Sequence, residues 1–294
     1  MKRKVLGLIN GSIAAASYGT NPLFALPLYA GGIGVNSVLF YRYFIAVIIY
    51  GIWIKFHKKS SLKISKKEFL PLLVLGIVFS LSSLTLFDAF QYIEIGIACT
   101  ILFIYPVLVA LIMAVFYKEK LTKSVIFSIL LTTVGIALLY KSTANTALNL
   151  HGVAIVLLSA LLYACYIVGV KNNKTVKHIK SDKLSFYVML FGLLVYVVNL
   201  KFCTQLQIIH SPFLWLCTIA LAVFPTIISL ETITIAIKLI GSTPTAILGA
   251  LEPLTAIFFG VVFFHERLTP RIILGVVLIL GGVILIILKN VKKR

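Results

Sequence analysis

The sequence predicts an all-α polytopic membrane protein: ten transmembrane helices arranged as two inverted five-helix repeats, with both termini in the cytoplasm. Three observations lead there. Apolar residues make up 61% of the 294-residue chain and charged residues only 12%, at a mean hydropathy of +1.09. That leaves too little polar surface to cover a water-soluble globule. The apolar residues fall into runs of spanning length, and those runs recur at a nearly constant offset.

A spanning helix needs about 20 mostly apolar residues to cross roughly 30 Å of hydrocarbon. Runs of that kind lie at 5–28, 37–54, 69–91, 95–117, 122–140, 152–170, 184–200, 212–235, 242–264 and 270–288. The opening "MKRKVLGLINGSIAAAS" has the outline of a signal peptide, but its apolar run continues beyond it, so it reads as the first span. The second span carries "YRYFIA" with Arg42, the third ends near Asp88, and the fourth holds Pro106 in mid-run. "FYKEKLT" at 116–122 links spans four and five, and "FFHERLT" at 263–269 links spans nine and ten. Barrel strands would alternate with period two, whereas "VIFSILLTTVGIALLY" and "RIILGVVLILGGVILIIL" are continuously apolar over helix lengths.

The net charge of +19 invites a nucleic-acid reading, which the positions of the charges exclude. With the N-terminus inside, 22 of the 27 Lys and Arg fall on cytoplasmic segments and 4 on outer ones, Arg42 lying within a span. This obeys the positive-inside rule with both termini cytoplasmic. The basicity then serves topology and contact with the lipid bilayer. Cys99, Cys165, Cys203 and Cys217 show no C-x-x-C spacing, so neither disulfides nor thiolate metal sites are expected. His265 lacks the second His or Cys a zinc site needs. No cofactor or metal is expected.

At offset 147, Pro106 meets Pro253, Glu119 meets Glu266, Thr122 meets Thr269 and Gly135 meets Gly282; at offset 145, Gly7 meets Gly152 and Tyr18 meets Tyr163. The chain therefore divides into repeats over 1–141 and 152–290. Five spans per repeat is odd, so the second repeat enters the membrane with opposite polarity. Glu119 and Glu266 occupy equivalent turns on opposite sides. They are structural charges at the water boundary, or a gate whose contacts break during transport.

Polar groups inside spans mark the candidate site, because an unpaired charge in hydrocarbon costs at least about 2.5–3.5 kcal/mol. Arg42 and Asp88 sit at matching depth in the outer third and are expected to pair, as a structural ion pair or as part of a binding site. Glu231 and Lys238 suggest a snorkelling pair, and Gly7-x-x-x-Gly11 suits close helix packing. Inverted-repeat carriers hold substrate near the midplane where the repeats meet, so Tyr18, Asn21, Tyr163 and Tyr166 are cavity candidates, with helix–helix contact as their alternative role. Pro106 and Pro253 are expected to bend their spans near mid-membrane. Glu252, ten residues into span nine, is roughly 15 Å deep with no basic partner in sequence. It either loads a proton or recognises an amine-bearing substrate, or it hydrogen-bonds carbonyls freed by Pro253.

The ten spans, the mid-span Pro106, the "EP" of span nine, the Glu-Lys/Arg-Leu turns and "YRYFIA" together resemble the drug/metabolite transporter superfamily, specifically EamA-like permeases. The resemblance covers the whole chain, although Tyr18 stands where the family often has Trp. It implies a carrier of the bacterial inner membrane, commonly an exporter of amino acids or other small metabolites, with a central cavity between its halves. The expectation is a secondary transporter working by alternating access on a small-molecule substrate, with proton coupling open and the protein a monomer or homodimer. Metabolite uptake is the alternative direction. An integral-membrane enzyme would need paired carboxylates or a nucleophile with a base, which the spans lack at convincing spacing. A channel would show a continuous polar ring.

Overall fold

The computed structural model describes residues 2–58, 61–89, 91–93, 98, 101–139, 149–264 and 269–292. The described residues form helices and their connecting turns: α1 (Lys2–Tyr18), α2 (Asn21–Ala30), α3 (Val35–Trp53), α4 (Lys66–Ala89), α5 (Tyr105–Tyr117), α6 (Lys123–Leu139), α7 (Leu150–Asn172), α8 (Ser181–Asn199), α9 (Pro212–Ala222), α10 (Ser229–Ile240), α11 (Ser242–Leu248), α12 (Leu251–Phe264) and α13 (Pro270–Lys292). Wider π-helical turns extend α3 over Ile54–Lys58 and join α9 to α10 over Val223–Ile228. Among the described residues, six helical stretches are long and apolar enough to cross a membrane: Val35–Lys58, Lys66–Ala89, Leu150–Asn172, Ser181–Asn199, Pro212–Ile240 and Pro270–Leu288. The protein is thus a multi-pass, all-helical membrane protein. Large apolar side chains such as Val115, Leu216 and Val277 lie exposed on its flanks, as a lipid-facing surface requires.

Three of the continuous runs read from sequence are broken. The chain turns at Gly19–Thr20, Phe103–Ile104 and Gly249–Ala250, and each turn is followed by a helix with proline in its first turn: Pro22, Pro106 and Pro253. A proline there loses no hydrogen bond, because the first N–H groups of a helix have no intrahelical partner. Pro106 and Pro253 therefore start helices instead of bending them. The last two breaks fall at equivalent places in the sequence repeat.

Repeat-related residues make reciprocal contacts. A methyl group built on Gly7 would lie 2.5 Å from Ile240 of α10, and one built on Gly152 would lie 2.8 Å from Ile93, the residue 147 positions before Ile240. Gly135 of α6 would meet the backbone of Gly275 in α13 at 2.8 Å, and Gly282 of α13 the backbone of Ser128 in α6 at 2.8 Å. Small residues here let helix backbones approach closely. Gly11 likewise would meet Leu248 at 2.6 Å, so the Gly7-x-x-x-Gly11 stripe does seat α1 against α10 and α11.

Connecting segments gather at two ends. At one, Lys183 pairs with Glu68 at 3.0 Å, the Tyr187 hydroxyl donates to the Leu62 carbonyl, and the Lys171 ammonium to the Lys238 carbonyl. At the other, Gln207 receives the Gly34 N–H and, through its carbonyl, the Tyr41 hydroxyl. Its own backbone N–H donates to Ser37, and Asn199 donates to Asn36.

Candidate functional site

The site grows from one proline. Pro225 has no N–H, so the carbonyl one turn earlier, that of Leu221, is left without its helical donor. The Thr226 hydroxyl supplies one at 2.7 Å. Around it the helix widens over Val223–Ile228, and neighbouring helices serve the carbonyls there. Ser17 of α1 donates to the Phe224 carbonyl at 2.6 Å. Arg42 of α3 donates through Nη2 to the Pro225 carbonyl at 2.8 Å and through Nε to the Thr226 hydroxyl. Ser229 returns a hydrogen bond to the Ala14 carbonyl of α1. π-turns inside helices recur at functional sites, and this one holds a buried cation, for Arg42 is 3% exposed.

The Tyr18 ring lies under that guanidinium, 5.4 Å from its central carbon. A narrow cavity opens between them, lined by Tyr18, Arg42, Phe79, Tyr163, Thr226 and Ser229 among others, with a free volume of about 10 Å³, room for about one water. Tyr163 reaches it from α7 and is held edge-on by Tyr105, centroids 4.8 Å apart. Tyr105 is in turn anchored by its hydroxyl on the Ala246 carbonyl at the end of α11. Gly249 is required beside it, since any Cβ there would overlap the Tyr105 hydroxyl.

Glu252 stands in the first turn of α12. The unsatisfied N–H groups and dipole of a helix start favour negative charge, and this start lies at a break within the membrane run, the geometry carriers use to bind ions. The residue as a whole is half-buried, and its carboxyl is buried within electrostatic reach of Tyr18, Tyr105, Tyr163 and Arg42. The arrangement brings a cation and two tyrosines to one small space, with Tyr105 behind Tyr163 and the Glu252 carboxyl nearby.

Of the residues expected from sequence, Tyr18, Arg42 and Tyr163 line the cavity and Glu252 stands beside it. Tyr166 does not line it: it is fully buried, packed on Phe79 with centroids 4.7 Å apart. Asn21, half-buried, opens α2 beyond the break. The expected Arg42–Asp88 pair is not made, because Arg42 turns to Thr226 and Pro225 while Asp88 is exposed. The Glu231–Lys238 pair is also replaced: Glu231 accepts from the Tyr50 hydroxyl and Lys58, and Lys238 donates to the Ile179 carbonyl. Glu119 is exposed in a turn closed by left-handed Lys118, its N–H bonded to the Met113 carbonyl, with no ion pair among the described residues. Glu266 and His265 lie outside the described residues. Thr269 caps α13, its hydroxyl accepting from the Ile272 N–H. Sequence reading passed over Pro225, Thr226 and Ser229, although a proline inside the run 212–235 marked the place.

The chain belongs to the EamA-like transporter family, which matches residues 5–141 and again 150–288. It is 25% identical over 297 residues to the Uncharacterized transporter YxxF of Bacillus subtilis (strain 168), spanning 100% of this chain and 90% of that one. An Uncharacterized transporter of Archaeoglobus fulgidus is 26% identical over 197 residues, covering 67% of this chain and 68% of its own. A solved crystal structure is similar in fold, with a TM-score of 0.82 at 17% identity over 97% of this chain and 98% of that chain.

Proposed function

We propose that this transporter is a secondary carrier of small amphipathic metabolites, amino acids or related solutes, exporting them across the bacterial inner membrane by alternating access. The observation that carries the reading is the cavity itself: Tyr18 and Tyr163, equivalent in the sequence repeat, line one space that Arg42 and Glu252 flank with opposite formal charges. The reciprocal glycine contacts support ten spans in two inverted repeats, 1–141 and 152–290. The basic segments 55–68 and 171–183 meet at one end of the molecule, which with the 22-to-4 charge split supports cytoplasmic termini.

A free volume of about 10 Å³ holds no metabolite, so loading requires the helices around the cavity to part. Bridges across the repeats close both ends: Lys58–Glu231 and Lys183–Glu68 at the basic end, Asn199–Asn36 and Gln207–Gly34 at the other. Alternating access releases one set at a time. A ligand shifts such an equilibrium only by binding one state better, and Glu252 provides the means, by exchanging a proton or by receiving a substrate amine.

The test is transport of a metabolite panel by purified protein in liposomes, with and without a pH gradient, for the natural chain and Glu252→Gln. Gln keeps the shape and a polar end but neither ionises nor exchanges a proton. The variant is expected to fold and insert yet lose pH-dependent or substrate-driven flux. Flux in Glu252→Gln that matches the natural chain from about pH 5.5 to about pH 8 would refute the assignment of Glu252.

A further inference from the structure

A second hollow, of about 310 Å³, lies between α3 and the segment 223–232. Ile49, Val223 and Ile227 give it apolar walls, and Tyr50, Trp53 and Glu231 add two aromatic rings and a carboxylate. The segment 223–228 separates it from the central cavity, with Pro225 and Thr226 lining the cavity and Val223, Ile227 and Ile228 lining the hollow. One ammonium already occupies the polar part. Lys58 Nζ stands 3.0 Å from Glu231 Oε1 and 4.6 Å from the Trp53 ring centroid. Tyr50 holds the other carboxylate oxygen at 2.6 Å and stacks on Trp53, centroids 5.7 Å apart.

A carboxylate for charge, an aromatic face for the cation and an apolar space for a hydrocarbon body are together what an organic ammonium requires. Lys58 supplies only the charged end. Its side chain is 32% exposed and reaches the box from the π-turn that ends α3, so it is a tethered ammonium with water at hand. We propose that Tyr50, Trp53 and Glu231 form a second binding site, for lipophilic ammonium compounds, in which Lys58 is a built-in competitor.

A ligand ammonium takes the place of Lys58 on Glu231 and Trp53, its hydrocarbon part fills the hollow, and Lys58 moves into water. Lys58 belongs to the first sequence repeat and Glu231 to the second, so occupancy releases one of the bridges between them. Binding and opening at this end are thereby coupled. The site stands apart from the central cavity, and its test reads a different residue.

The chain has two tryptophans, Trp53 and Trp215, so Trp215→Phe leaves Trp53 as sole reporter at the cost of one hydrogen bond to the Ile209 carbonyl. The probe is hexyltrimethylammonium, titrated into this protein in nanodiscs of neutral lipid, with hexanol as the uncharged control. A saturable change in Trp53 emission is expected for the ammonium and not for the alcohol. Lys58→Met is expected to tighten binding about tenfold, the scale of an exposed ion pair plus a cation–π contact. Adding Glu231→Gln to it is expected to abolish saturation. Equal affinity with and without Lys58, or saturable binding that survives Glu231→Gln, overturns the proposal. If Lys58→Met fails to fold, Lys58→Gln, which still donates a hydrogen bond toward Glu231, carries the same comparison. Failure of the central-site reading shows as unchanged flux in Glu252→Gln and leaves the Trp53 signal untouched.

Discussion

Tyr18 and Tyr163 line the same cavity although 145 positions separate them in the chain. The two are not equal in role, because Tyr18 also carries the Arg42 guanidinium on its face at 5.4 Å. Tyr18→Phe keeps that face and is expected to hold stability within about 0.5 kcal/mol, whereas Tyr18→Leu loses the cation–π contact and about 1–2 kcal/mol. Thermal unfolding of the purified variants separates the cases; equal losses would mean that the ring face contributes nothing.

Arg42 is a buried cation whose hydrogen bonds run to a widened helix turn. Arg42→Lys preserves charge but cannot present two donors in one plane. It should lose about 1.5–3 kcal/mol of stability, the scale of hydrogen bonds to charged groups, and lower transport more than it lowers stability. Thr226→Val removes one of those acceptors and the donor to Leu221, and should reproduce part of the loss. Full stability of both variants in a melting assay would show that the widened turn does not depend on Arg42.

Gly249 leaves space for the Tyr105 hydroxyl. Gly249→Ala must displace it, losing the bond to Ala246 and costing about 1–3 kcal/mol by overpacking. Tyr105→Phe should cost about 1 kcal/mol. Combined, the two should cost clearly less than their sum, because the hydroxyl that clashes is gone. A strictly additive double variant would place the strain elsewhere.

Lys66 and Lys183 flank Glu68 at one end of the molecule, while Ser211 follows the Gln207 cluster at the other. Cysteines at 66 and 183 in a cysteine-free background are expected to react with impermeant thiol reagents only from the cytoplasmic side, and one at 211 only from outside. Asn145, expected outside by the charge count, lies beyond the described residues. Labelling of position 66 from outside would invert the orientation.

Glu119 is exposed and without an ion pair among the described residues, which favours a structural turn over a gate. Glu119→Gln should change stability by no more than about 0.5 kcal/mol and leave flux unaltered. A transport defect in this variant would revive the gating role.

Much of this was legible because bilayer physics acts on single residues. Apolar run length, the absence of period-two alternation and the distribution of Lys and Arg need no knowledge of neighbours. Repeat-related Gly7 and Gly152 could be matched by offset alone, and their reciprocal contacts follow from that match. Breaks were harder to see. The turn at Gly249–Ala250 is as apolar as a helix, because its polar needs are met from another helix, where the Tyr105 hydroxyl serves the Ala246 carbonyl.

Sequence alone determined the solvent, the class and the repeat, and it assigns each charge an expected depth, since rise per residue converts position into depth. It did not determine direction around the helix axis. Arg42 and Asp88 are expected at one depth, yet α3 turns Arg42 toward Pro225 and Thr226, 183 and 184 residues away. Glu231 likewise finds Lys58 and Tyr50 instead of its near neighbour Lys238. Which faces meet is settled by the packing of whole helices, where small residues admit close approach and a proline leaves a carbonyl needing a donor. Thr226 serves the Leu221 carbonyl locally, but only the tertiary structure brings Ser17 and Arg42 to the neighbouring carbonyls of Phe224 and Pro225.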